Sequence, residues 1–108
     1  MINAAALKKW IEALRTGGYT KIKKFCRTQK GFCAAGVGLD VSNTGYWRKS
    51  NKGNMFSYSY QDRGAIFTCG TINQIYGLST EQFDIVTRMN DNGKTFSEIA
   101  DYLESLME

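Results

Sequence analysis

Two capping boxes in the last third constrain the fold of this chain more than any other sequence feature. They are Ser79-Thr80-Glu81-Gln82 and Thr95-Phe96-Ser97-Glu98. In such a box the first side chain accepts from the backbone N–H of the fourth residue, whose own side chain reaches back to the first. Each box therefore opens a helix. Behind the first, Phe83, Ile85, Val86 and Met89 line a buried side until Asn92-Gly93 stops the run. Behind the second, Ile99, Leu103 and Leu106 continue the apolar stripe, with Asp101 and Glu104 outside. The pattern predicts an αα-hairpin. Ahead of it, Thr71 to Tyr76 reads as a short helix ended by Gly77.

The N-terminal segment is as well signed. Asn3 can cap a helix whose Leu7, Trp10, Ile11 and Leu14 recur on one face, and Gly17-Gly18 supplies the left-handed exit. Residues Tyr19 to Lys30 are basic and irregular. The run from Gly31 to Val41 is small and apolar throughout, which predicts burial. A short helix is favoured there and a strand is the alternative, since periodicity does not separate them. Its internal glycines weaken a helix but let another element approach closely. Met55 to Tyr60 alternates with period two and reads as a strand, with Phe56, Tyr58 and Tyr60 on one face. Gln61 to Gly64 is its expected turn and Ala65 to Cys69 its expected return strand. The sum is one mainly helical α+β domain over residues 1–108, with a short buried central helix and one antiparallel β-hairpin. At 108 residues the chain has room for one core.

Composition then narrows the chemistry. The chain has no histidine, so Ser–His and Cys–His nucleophile arrangements are excluded and the commonest neutral-pH base is missing. An odd count of cysteines (Cys26, Cys33, Cys69) makes a poor disulfide framework. Cys33 and Cys69 sit in apolar runs and read as small buried hydrophobes. Without histidine a zinc site would need all three thiolates and a carboxylate. No apolar run approaches a membrane span, and the start lacks the charge and cleavage pattern of a signal peptide. The expectation is a cytoplasmic protein with no cofactor.

Four motif matches dissolve on inspection. Gly36-Val37-Gly38 opens like a dinucleotide fingerprint, but Val41 stands where a third glycine is required. Gly31 to Gly36 has phosphate-loop spacing with Val37 in place of the lysine. Asn90-Asp91-Asn92-Gly93 suggests a calcium loop, yet Arg88 and Ile99 fall on its first and last ligand positions. A turn after a helix explains it better. Lys94 to Glu104 resembles the middle helix of a helix-turn-helix, but it is acidic and no recognition helix follows within this sequence.

Charge is divided unevenly. Twelve Lys/Arg stand against three acids from Met1 to Arg63, and two against seven from Gly64 to Glu108, for a net +4. Either the two parts dress separate solvated surfaces or fold on each other, or the first presents a basic face to a partner. The residues that would form that face are Lys21, Lys23, Lys24, Arg27 and Lys30, with Arg48, Lys49 and Lys52. Tyr58 and its neighbours on the aromatic strand either pack into the core or stack bases of single-stranded nucleic acid beside those cations.

Three stretches carry a resemblance. They are Lys9-Trp10-Ile11-Glu12-Ala13-Leu14-Arg15-Thr16-Gly17-Gly18-Tyr19, Phe32-Cys33-Ala34-Ala35-Gly36-Val37, and residues 89–104, from Met89-Asn90-Asp91-Asn92-Gly93 to Glu104. They resemble a family of short proteins encoded by tailed bacteriophages and prophages. Members usually show Cys-Cys-Leu-Gly-Val where this chain has Cys33-Ala34-Ala35-Gly36-Val37, so paired-thiol chemistry is not implied here. The resemblance implies a setting, with the host cytoplasm as the place of action, and assigns no site residue. The functional expectation is a non-enzymatic accessory protein that binds an acidic host or phage protein in host takeover or counter-defence. Single-stranded nucleic acid is the alternative ligand. An enzyme acting through Asn90, Asp91 or a cysteine is the third reading.

Overall fold

A computed structural model describes residues 2–23, 27–49, 55–60 and 68–107, the side chains of Thr68 and Cys69 excepted. Helix α1 spans Ala4–Thr16 and is capped by Asn3, whose side chain accepts from the Ala6 N–H. The Asn3 backbone N–H also donates to the carbonyl of Tyr76, tying the start of α1 to the end of α3 (Thr68–Tyr76). Leu7, Trp10, Ile11 and Leu14 are all buried, as the helical spacing requires. Gly18 takes the left-handed turn that releases the chain.

The apolar run after Gly31 forms helix α2, Ala34–Ser42, and its first six residues are buried. Its mean hydropathy is high on every side because neighbours surround it. Trp10 is fully buried against it and donates from Nε1 to the carbonyl of Ala34, 3.0 Å away. The Trp10 and Tyr76 rings pack with centroids 4.5 Å apart, and the Tyr76 hydroxyl donates to the carbonyl of Gly38. Both polar atoms of this aromatic pair are thereby satisfied without water. Gly38 is what lets the three helices meet. A β-carbon there would lie 2.8 Å from Trp10 Cε2 and 3.1 Å from Ile72 Cδ1. Fully burying one large apolar side chain contributes roughly 1.5–3 kcal/mol, so this junction of α1, α2 and α3 holds much of the stability.

Four short strands flank the helices. β1 (Arg27–Thr28) pairs antiparallel with β2 (Gly31–Phe32), setting Arg27 opposite Phe32. β3 (Gly45–Lys49) pairs antiparallel with β4 (Phe56–Tyr60), setting Trp47 opposite Tyr58 and Lys49 opposite Phe56. A single antiparallel bridge from Thr28 to Met55 joins the two pairs. The alternating segment is thus a strand, but its partner differs from the expected one. It pairs backward with β3, and Thr68-Cys69, expected at the end of the return strand, begin helix α3. The expected turn, Gln61 to Gly64, and Ala65 to Phe67 lie outside the described residues. The turn-rich stretches on either side of the strand offer two equivalent closures. Pairing with β3 is the one that lays Trp47 against Tyr58 on the core side, ring centroids 5.0 Å apart. Gly45 is needed at the end of this ladder, because a β-carbon would meet the Ser59 carbonyl at 1.8 Å.

Both capping boxes form. Ser79 and Gln82 open helix α4 (Thr80–Asp91), and Thr95 and Glu98 open helix α5 (Phe96–Ser105), each with its two reciprocal bonds. Gly93, at φ +88°, makes the turn between them. α5 packs more extensively along α1 than along α4. There the Arg15 guanidinium forks to Asp101 (2.7 Å) and Glu104 (3.1 Å) at the surface. Among the described residues no helix is long and apolar enough to cross a membrane.

Candidate binding groove

The sequence of β1 and β2 builds an open concavity that two of the basic residues line. Gln29 and Lys30 turn the chain between Thr28 and Gly31, and the Thr28 hydroxyl accepts from the Lys30 N–H. This small hairpin stands against the exit of α1 and the side of β4. Between them lies a groove of about 560 Å³, lined by residues 17–20, residues 27–32 and Phe56. Its described lining contains two cations, Arg27 and Lys30, and no acid.

Arg27 is held in an unusual way. Its guanidinium carbon lies 4.4 Å from the centre of the Phe56 ring, 4.9 Å from that of Phe32 and 5.4 Å from that of Trp47. Cation–π contacts of this kind contribute about 0.5–2 kcal/mol each, the upper value when desolvated. They hold the guanidinium without neutralising its charge, so its N–H groups can still meet an anion. Among the described residues no carboxylate pairs with Arg27, in contrast to Arg15.

The aromatic wall is fixed from behind. Tyr19, Phe32, Trp47 and Tyr58 follow one another edge-to-face, with centroids 4.8, 5.9 and 5.0 Å apart. Asp40 pins two of them, accepting from the Tyr19 hydroxyl at 2.5 Å and from Trp47 Nε1 at 3.0 Å. Each Asp40 oxygen is thus engaged by an aromatic donor. Burial first, and then the bond to Asp40, pushes the Tyr19 hydroxyl up to about 12 from 10.

The residues expected to form the basic face divide into three groups. Arg27 and Lys30 line the groove, and Lys23 is exposed on its approach. Arg48 and Lys49 are exposed on β3, next to Tyr46, which is 48% exposed. Lys21 is drawn inward instead, donating from Nζ to the carbonyl of Asn90 at 2.8 Å. Lys24 and Lys52, like Cys26, lie outside the described residues. Tyr58 is only 5% exposed, and its hydroxyl meets Thr44 Oγ1 at 3.1 Å, so its ring belongs to the core and offers no face to a base.

Asn90 and Cys33 have structural partners. Asn90 is 2% exposed; its Oδ1 accepts from the N–H of Ala34 at the start of α2, and its Nδ2 donates to the carbonyl of Ile22. Cys33 is half-buried and caps α2, its sulfur accepting from the Gly36 N–H. Among the described residues no three Cys, Asp or Glu side chains converge as metal ligands. Sequence reasoning missed the aromatic seat of Arg27. Its one local signal is the two-residue turn Gln29-Lys30 followed at once by Gly31, which is hairpin spacing.

A second hollow, of about 350 Å³, lies between α1 and α5, and it is lined by both signs of charge. Its cations are Lys8 and Arg15, of which Arg15 already binds Glu104, and Glu12 and Glu104 share the lining.

A protein-family model described as a domain of unknown function (DUF8296) matches residues 2–67. The chain belongs to this family. All of the described groove lining falls within the matched stretch, whereas α3, α4 and α5 follow it. No curated protein and no solved structure matches the chain.

Proposed function

We propose that this is a non-enzymatic binding protein whose basic region, centred on the groove beside β1 and β2, meets an acidic surface of another protein. One observation carries the reading. Lys23, Arg27, Lys30, Arg48 and Lys49 cluster along the two linked strand pairs and their approach, and none of them has a carboxylate partner among the described residues. Cations left unneutralised in one region raise the association rate with an oppositely charged surface. Burial of Tyr58 favours a protein over stacked bases. Exposed Tyr46 beside Arg48 supports single-stranded nucleic acid as the second reading. A phage or prophage setting, with a role in host takeover or counter-defence, rests on the sequence resemblance.

The test is capture from bacterial lysate with the wild-type chain and with a K23E/R48E/K49E variant, before and after nuclease. A protein retained by the wild type after nuclease and lost by the variant supports the reading. Material lost on nuclease treatment, with binding that falls steeply as salt rises, overturns it in favour of nucleic acid.

A further inference from the structure

Among the described residues Arg27 lacks the acidic partner that an arginine in such surroundings ordinarily has. It is half-buried and lies over Phe32, Trp47 and Phe56, in a groove whose described lining holds a second cation and no acid. Partial burial of a charge is costly unless something compensates it. The rings compensate part of that charge, while the guanidinium has no carboxylate partner among the described residues. Asp40, the acid that binds this wall among the described residues, has one oxygen on Tyr19 and the other on Trp47.

From this geometry we infer that the groove is a carboxylate-reading site, with Arg27 as its anchor and an extended acidic segment of a partner protein as its occupant. A planar guanidinium held among rings binds a carboxylate through two parallel N–H···O bonds, at little cost in side-chain freedom. Lys30, exposed on the rim, adds a second, looser contact to a neighbouring acid. The groove is open, so an extended peptide can run along it, with apolar atoms against Phe32 and Phe56. Charge selects the occupant: an acidic peptide complements the two cations, and the covered Tyr58 removes a platform that bases would need. The inference rests on the protein-binding reading above and names the feature the partner presents.

The test is a nuclear magnetic resonance titration of the labelled chain with three probes. These are a short synthetic peptide alternating glutamate and glycine, the same peptide with glutamine for glutamate, and oligothymidylate. The acidic peptide is expected to shift the Arg27 side-chain N–H and the backbone amides of Lys30 and Gly31, and the glutamine peptide to leave them in place. R27K keeps the charge but loses the fork, and its affinity for the acidic peptide should fall at least about tenfold, since hydrogen bonds to charged groups are worth that much. K30Q, at an exposed position, should weaken binding a few-fold without touching the fold, and the wild-type Arg27 resonance reads the contact even if R27K unfolds. Shifts confined to Arg48 and Lys49, with R27K binding normally, overturn the groove assignment and leave the broader basic face standing. Binding of oligothymidylate in place of the peptide overturns both readings. If none of the probes binds, the carboxylate site is wrong, and the lysate capture alone decides the partner class.

Discussion

The helices and the strand region of this molecule are held together by different kinds of information. α1, α4 and α5 begin at caps whose donor and acceptor lie within three residues of each other, and their buried faces follow from spacing alone. The strand region is assembled from afar. Arg27 sits among rings from three strands, and the amide of Asn90 bonds Ile22 and Ala34, at separations of 68 and 56 residues. Elements coded locally can be weakened one at a time, whereas a region coded by distant contacts should loosen as a whole when one of them is cut.

The largest effect comes from emptying the helical junction itself. Trp10→Ala empties the junction of α1, α2 and α3 and should cost about 3–5 kcal/mol, as large aromatic truncations do. Urea unfolding read by far-ultraviolet circular dichroism will show a lower midpoint; an unchanged midpoint would mean the core lies elsewhere. Next comes Asn90→Ala, which leaves the Ala34 N–H and the Ile22 carbonyl without partners. The expected loss is about 2–6 kcal/mol, from about 1–3 for each of the two groups left unmet. Hydrogen exchange should speed up at Ile22, whose N–H donates to the Phe32 carbonyl, and at Phe32, whose N–H donates to that of Thr20, more than within α5. Uniform acceleration across all elements would erase the distinction drawn here.

Thr95→Ala should behave oppositely. Loss of one cap costs about 1 kcal/mol, and the exchange it accelerates should stay within the first turn of α5. Smallest is a pH effect. The Tyr19 hydroxyl is held protonated up to about 12 by burial and by Asp40, while the unfolded chain releases that proton near 10. The folded state thus binds the proton more tightly, and this contribution to stability is full below pH 10 and lost as pH rises from 10 towards 12. Tyr76 is shifted in the same direction by its burial, so Tyr19→Phe should remove only part of the alkaline loss. Thermal unfolding of both proteins across that range measures it; an identical alkaline slope would show that Tyr19 is not the group responsible.

These same differences explain what could be read before the fold was known. The capping residues Asn3, Ser79 and Thr95, the stops at Gly77 and Gly93, and the buried stripe of α1 are statements about neighbours, and each is found where spacing put it. The strand Phe56–Tyr60 was legible from its alternation, but its partner was not. Period two says which face is apolar and nothing about which segment lies alongside. The destination of Tyr58 was likewise undecided, because a core aromatic and a stacking aromatic look alike in one dimension. Lys21 reads as one more surface cation until the end of α4 arrives to accept its ammonium. The Arg27 seat needed three strands in place before it could be seen.

The bond from Asn90 to α2 also sets an order of events. When the chain leaves the ribosome, α2 emerges with the N–H of Ala34 awaiting an acceptor that lies 56 residues further on. Domains are completed as synthesis delivers their parts, so the start of α2 stays unfinished until the last turn of α4 has been made. The family-matched stretch ends at residue 67. Its central helix is closed by a residue translated after it, and the nascent groove remains provisional until then.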